Sequence, residues 1–301
     1  MRNLFTSFSS RHYAAGLIIG LLLYIGAAEI VLRTYVVSNH KPARNAVSIY
    51  ASKNKDIIIG DSHTQNAFKS ESPSFTNLSM GGISVEMMEI LIKEYYRNRD
   101  PHRVIIIASP QMFAQNRIEK GNWGYNKYFK FNMLNPPFML YVFEKAVSSN
   151  LAIIPDLFKR KKDDLVEWEK AGKDDRERRT SARIKEQRPV INFKQTKSFA
   201  SYLRTLSFLK EKGADVCLLR TPVSQEYQEM TSDDNGFKSA DDAFKKMAAQ
   251  YGFKYVDFKQ LPITYDDTIF VNQDHLNSKG SKIFAPLAEK YCFEKILAAE
   301  R

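Results

Sequence analysis

Short apolar runs alternate with amphipathic stretches along most of this chain. From residue 56 onward "DIIIG" is followed by "SVEMMEILIKEYYRN" and "RVIIIASP". Later come "TKSFASYLRTLSFLKEKG", "ADVCLLRTP", "SADDAFKKMAAQYG", "FKYVDF" and "NSKGSKIFAPLAEKYCFEKILA". Nearly continuous apolar strands separated by helices imply a parallel sheet covered on both faces. The predicted class is a three-layer α/β domain. Its segmentation is supported by "KEKGADV" and "AQYGFKYV", where a glycine ends a helical pattern just before a strand. The rhythm breaks over residues 111–193, which read as an insertion between the third and fourth strands, with an aromatic part ("NWGYNKYFKFNMLNPPFMLYVF") and a charged part.

Ahead of this domain, "YAAGLIIGLLLYIGAAEIVL" at 13–32 carries one formal charge, Glu29. About 20 residues at ~1.5 Å each match a bilayer core, so a transmembrane anchor is expected over 13–33. The competing reading is a cleaved signal peptide ending near Gly26, Ala27 and Ala28. Arg2 and Arg11 before the run and Arg33, Lys41 and Arg44 after it do not decide orientation by charge. A short N-terminal tail (1–12) and a long C-terminal domain suit a signal anchor with the domain outside the cytoplasm. Residues 34–52 read as a polar linker and 53–301 as the folded domain.

The net charge of +11 is dominated by mixed-sign segments such as "KRKKDD" and "DDRERRTSARIKEQR", poor in aromatics. They suit a solvated helical face better than nucleic acid, and attraction to anionic lipid or an anionic wall polymer fits equally. Cys217 and Cys292 lie in apolar patterns and are expected to be buried free thiols. The five histidines show no ligand-pair spacing, and there is no phosphate-cradling glycine loop, so neither metal nor cofactor is expected.

In open α/β sheets, ligands bind beyond the carboxyl ends of strands. Ser62 follows such an end in "IIIGDSHT", with Gly60 permitting a sharp turn. A helix-capping role is the ordinary alternative for a serine there. "NLSMGGIS" ends the next strand on Gly81 and Gly82, where a backbone N–H can approach a ligand. "VIIIASPQMF" puts Gln111 at a third strand end, and "NQDHLNSKG" puts His275 in a loop before the last helix. A nucleophilic serine requires an imidazole, and the imidazole a carboxylate. Asp274 is adjacent to His275, and Asp266 and Asp267 are nearby. His63 is a poor candidate base, because its side chain diverges from that of Ser62; a substrate or structural role suits it better.

"IIIGDSHT", "NLSMGGIS", "VIIIASPQ" and "DHLNSKG" together resemble the four blocks of the SGNH (GDSL-type) hydrolase superfamily. "SPQMF" is similar to the membrane-anchored D-alanyl-transfer (DltD-like) proteins of teichoic-acid modification. The resemblance implies Ser62 as nucleophile, His275 as base, and an oxyanion hole of Ser62, Gly82 and Gln111, with Gln111 replacing the usual asparagine. The family's acid falls at Asn272, so Asp274 or a more distant acid would have to substitute. Asp274 is the expected substitute, although consecutive residues of an extended chain point opposite ways.

Three functions compete. The first is a serine acyltransferase or esterase at the extracytoplasmic side of the cell membrane, acting on O-acyl groups of a cell-envelope glycan or teichoic-acid-like acceptor, with an integral membrane O-acyltransferase as partner. The second is a non-catalytic assembly subunit of the same fold, favoured by Asn272 but not by retention of Ser62 and His275. The third, a nucleic-acid or anionic-membrane binder, has only net charge behind it.

Overall fold

The computed structural model describes residues 10–31, 52–69, 74–118, 167–258 and 266–294. The chain divides into two units, Met1–Ser48 with Lys127–Lys159 and Ile49–Asn126 with Arg160–Arg301. In the first, Ser10–Val31 forms a 22-residue helix, with Leu17, Leu21, Leu22 and Leu23 exposed. Among the described residues, no helix is long and apolar enough to cross a membrane, which corrects the transmembrane reading of 13–33. Glu29 ends the uncharged run at Ala28, so that run from Tyr13 spans about 24 Å at ~1.5 Å per residue, short of the ~30 Å bilayer core.

The second unit is a three-layer α/β fold, as the alternation requires. Its five-stranded sheet contains β1 (Ile57–Ile59), β2 (Thr76–Asn77), β3 (Arg103–Ile107), β4 (Asp215–Arg220) and β5 (Lys254–Asp257), in the order β2-β1-β3-β4-β5. Every pairing is parallel, with Ile57 opposite Val104 and Ile105 opposite Cys217. Side chains alternate across a strand, and one set, including Ile58, Ile105, Cys217 and Leu219, joins a core with Phe284, Ala288 and Cys292 of the C-terminal helix Ser278–Phe293. The opposite face is covered by helices Val85–Tyr95, Lys197–Glu211 and Asn235–Tyr251, which pack in series. Chain order reverses between β1 and β3, and the carboxyl ends flanking such a switch point form the crevice where ligands bind.

Cys217 and Cys292 form a disulfide across 75 positions, correcting the expectation of free thiols. The strand register puts Cys217 on the face beneath the last helix, and that helix's phase brings Cys292 over it. Of the expected insertion at 111–193, residues 119–166 lie outside the described residues. Its described parts include a 3₁₀ turn at Pro110–Phe113 and helices Gln115–Ile118 and Lys173–Gln187.

A small hairpin completes the site. Strands β6 (Phe270–Asn272) and β7 (His275–Leu276) pair antiparallel, with Asn272 opposite His275 and a register shift between Phe270 and Asn272. Gln273 and Asp274 therefore form a two-residue connection rather than part of a strand.

Candidate active site

Ser62 begins a six-residue helix, Ser62–Ala67, directly after β1. Asp61 is its cap, accepting from the His63 N–H at 2.9 Å, so the Ser62 hydroxyl is not engaged in capping. Gly60 makes the turn possible: a Cβ there would lie 2.3 Å from Thr64 Oγ1 and 2.8 Å from Ile107 Cβ. Serine is thus delivered to the sheet's carboxyl edge by a backbone that no larger residue could follow.

The hairpin brings His275 to it from more than two hundred residues away. His275 Nε2 lies 2.8 Å from Ser62 Oγ. On the other side of the ring, Nδ1 is 2.7 Å from Asp274 Oδ1 and 3.0 Å from Asn272 Oδ1. The objection that neighbouring side chains diverge fails because Asp274 sits in the turn. Asn272 Oδ1 also accepts the Asp274 N–H at 3.1 Å, which bends the backbone so that the carboxylate points at the ring following it. Both candidate orienters thus lie within hydrogen-bond reach of Nδ1, Asp274 being the closer and the charged one. Asp266 does not join the cluster; it caps the turn Asp267–Ile269 through the Thr268 N–H, while Asp267 pairs with Arg176.

A second histidine is built into the cluster. His63 Nδ1 is 3.0 Å from Asp61 Oδ1 and its Nε2 is 3.0 Å from Asp274 Oδ2, while its ring stacks on that of His275 at 4.5 Å. Burial disfavours charge on this imidazole, but the carboxylates of Asp61 and Asp274 outweigh it and raise its pKa to about 9. Burial pushes the Asp61 and Asp274 carboxyls up, yet His63, with Arg117 beside Asp61 and His275 beside Asp274, leaves both well below the carboxylate range. His63, Asp274 and His275 present donor atoms within 4.8 Å of one another, close enough for a cation. Both His63 nitrogens, however, already face carboxylates, and His275 Nε2 faces a hydroxyl.

Because His63 is more basic folded than unfolded, its stabilising contribution is complete below about pH 6.5 and is lost as pH rises through about 9. Urea unfolding of wild type against His63→Gln should show a wild-type advantage shrinking by on the order of 3 kcal/mol between pH 6 and pH 10. A constant difference would mean that the bridge is neutral.

The predicted oxyanion groups are only partly assembled. Gly82 adopts a left-handed φ of 75° that turns the chain after β2. The neighbouring Gly81 passes beside Ser62, with an added Cβ 3.7 Å from Ser62 Cβ, and its N–H donates to Gln65 Oε1 at 2.8 Å. Gln111 is buried, and its Nε2 is directed at His63 Nδ1 (3.2 Å) and Asp61 Oδ2 (3.5 Å). Its use as an oxyanion donor would require that side chain to rotate.

Four residues of the cluster were absent from the sequence reading. Arg117 donates to Asp61 Oδ2 at 3.2 Å, Arg183 Nε to Asp274 Oδ2 at 2.8 Å, and Gln187 Nε2 to the same oxygen at 2.7 Å. Tyr227 OH donates to Gln187 Oε1 at 2.6 Å. Arg183 and Gln187 are four apart on helix Lys173–Gln187, the charged segment that reads in sequence as a solvated face. The one available signal was the apolar Ile184 between them, which is partly buried against Val223, Tyr227 and Phe237.

The family model of the DltD protein matches residues 174–280, the segment carrying Arg183, Gln187, Asp274 and His275. No curated protein matches the sequence. Among solved structures, a candidate acylhydrolase from Bacteroides fragilis is 13% identical, covering 85% of this chain and 95% of its own, with a TM-score of 0.43. A GDSL-like lipase from Bacteroides thetaiotaomicron is 10% identical, covering 83% and 95%, with a TM-score of 0.45. Over residues 174–280 the chain is thus similar to the DltD family, and of the four sequence blocks "DHLNSKG" lies in that segment.

Proposed function

We propose that this chain is a serine acyltransferase or esterase acting on O-acyl groups of a cell-envelope polysaccharide or related polymer. The observation that carries the reading is Ser62 Oγ at 2.8 Å from His275 Nε2, with Asp274 Oδ1 at 2.7 Å from Nδ1. Ser62 Oγ attacks the acyl carbonyl carbon while its proton passes to His275 Nε2. His275 Nδ1–H keeps donating to Asp274 Oδ1 and Asn272 Oδ1, and the carboxylate stabilises the imidazolium. The backbone N–H groups of Ser62 and Gly82 receive the oxyanion, joined by Gln111 once its amide rotates. Collapse expels the donor's oxygen, which takes the proton from His275 and leaves an acyl ester on Ser62. An acceptor hydroxyl, or water, then enters by the reverse sequence.

The partial DltD match supports transfer to a teichoic-acid-like acceptor, and the net charge of +11 suits an anionic polymer. The Cys217–Cys292 disulfide favours an oxidising compartment, hence the extracytoplasmic side. The exposed apolar helix Ser10–Val31 attaches the chain to the membrane, where an integral membrane O-acyltransferase would deliver the acyl group.

The test is intact-mass analysis of the full chain in detergent after exposure to a fluorophosphonate. One adduct is expected in wild type and none in Ser62→Ala or His275→Ala. A folded wild type that stays unmodified would favour the non-catalytic subunit instead.

A further inference from the structure

Asp274 is held by more donors than orienting one histidine requires. While Oδ1 faces His275, Oδ2 meets three groups: His63 Nε2 at 3.0 Å, Arg183 Nε at 2.8 Å and Gln187 Nε2 at 2.7 Å. They arrive from two elements, the short helix after β1 and helix Lys173–Gln187. Rotating the carboxylate would break all three bonds together. Behind them, Tyr227 OH fixes Gln187, and Asp61 fixes His63.

We propose that His63, Arg183 and Gln187 are positioning residues that lock the Asp274 carboxylate onto His275, making helix Lys173–Gln187 a working part of serine activation. The proposal rests on the serine reading above. It assigns a task to a segment whose composition suggests only solvent exposure. Hydrogen bonds run without interruption from Tyr227 through Gln187, Asp274 and His275 to Ser62.

The cluster also fixes the electrostatics. The groups facing Asp274 and His275 are His63, Arg183, Gln187, Asn272, Tyr227 through Gln187, and Ser62, while Asp61, Gln111 and Arg117 stand behind His63. Three cations, His63, Arg117 and Arg183, thus oppose two carboxylates, Asp61 and Asp274. Removing one cation leaves the cluster around Ser62 and Asp274 more negative. The pH at which Ser62 becomes half-maximally reactive should therefore rise.

The experiment is the pH profile of fluorophosphonate labelling of the full chain, for wild type, His63→Gln, Arg183→Met, Arg183→Lys and Gln187→Met. Arg183→Met should label about ten- to a hundredfold more slowly, with its half-maximal pH moved up by about half a unit or more. Arg183→Lys keeps the charge and should restore the wild-type midpoint while recovering only part of the rate. A role confined to folding would leave the midpoint of the folded fraction unchanged. Arg183 is 28% exposed, so its variants are expected to fold even where His63→Gln does not. Wild-type rates and midpoints in Arg183→Met and Gln187→Met would overturn this inference alone. A wild type that never labels would overturn the serine reading and this inference with it.

Discussion

Asp274→Asn is expected to slow Ser62 labelling and ester turnover by about 10²- to 10⁴-fold and to destabilise the fold by about 3–5 kcal/mol near pH 6. The kinetic part has two components that the structure separates. An asparagine no longer stabilises the imidazolium, but Asn272 Oδ1, 3.0 Å from Nδ1, can still hold the productive tautomer. The single variant should therefore fall short of the upper figure, and Asn272→Ala combined with Asp274→Asn should approach it. The stability part arises because His63 and Arg183 both lose a buried carboxylate, His63 within a fully enclosed site. Above about pH 8, His63 can shed its proton instead, so the penalty should shrink. Paired labelling rates and urea midpoints at pH 6 and 8.5 measure both. A loss under tenfold would mean that Asn272 alone suffices, and the assignment of Asp274 would fall.

Reduction of Cys217–Cys292, or Cys292→Ser, is expected to lower stability by about 4 kcal/mol, the loop-closure entropy for a bridge across 75 positions. The bond ties interior strand β4 to the end of helix Ser278–Phe293. That helix starts just after His275 and is seated against the turn Asp267–Ile269: a Cβ on Gly280 would come within 2.4 Å of the Ile269 carbonyl. Loosening it should thus reach the histidine loop before global unfolding. Denaturant midpoints with and without reductant, read beside the labelling rate, would detect this as activity lost at lower urea than bulk structure. Coincident loss would mean that the bridge only stabilises the whole unit.

The local part of this molecule was legible in advance. Ile57–Ile59, Arg103–Ile107 and Asp215–Arg220 announce themselves as buried parallel strands because their apolar character is continuous and short. Gly60 before Ser62, and His275 ahead of the last helix, follow from where such strands must end. The elements hardest to read were those whose meaning depends on a partner distant in sequence. Asp274 looked misdirected because alternation assumes an extended chain, whereas the pairing of Asn272 with His275 puts it in a turn. His63 read as a substrate or structural residue, and its tie to Asp274 was not legible because that carboxylate is 211 residues away. Arg183 and Gln187 were hidden in a helix whose average composition is that of a solvated surface. The same reason separates the cysteines, whose burial was foreseen, from their bond, which was not.

The layers, the sheet edge that carries Ser62 and the loop that carries His275 follow from local pattern, because periodicity and turn chemistry act over a few residues. Which carboxylate faces His275, what holds that carboxylate, and which cysteines meet were settled by the fold. Those depend on strand register and helix phase, which place side chains to within an ångström and leave no local mark on the chain.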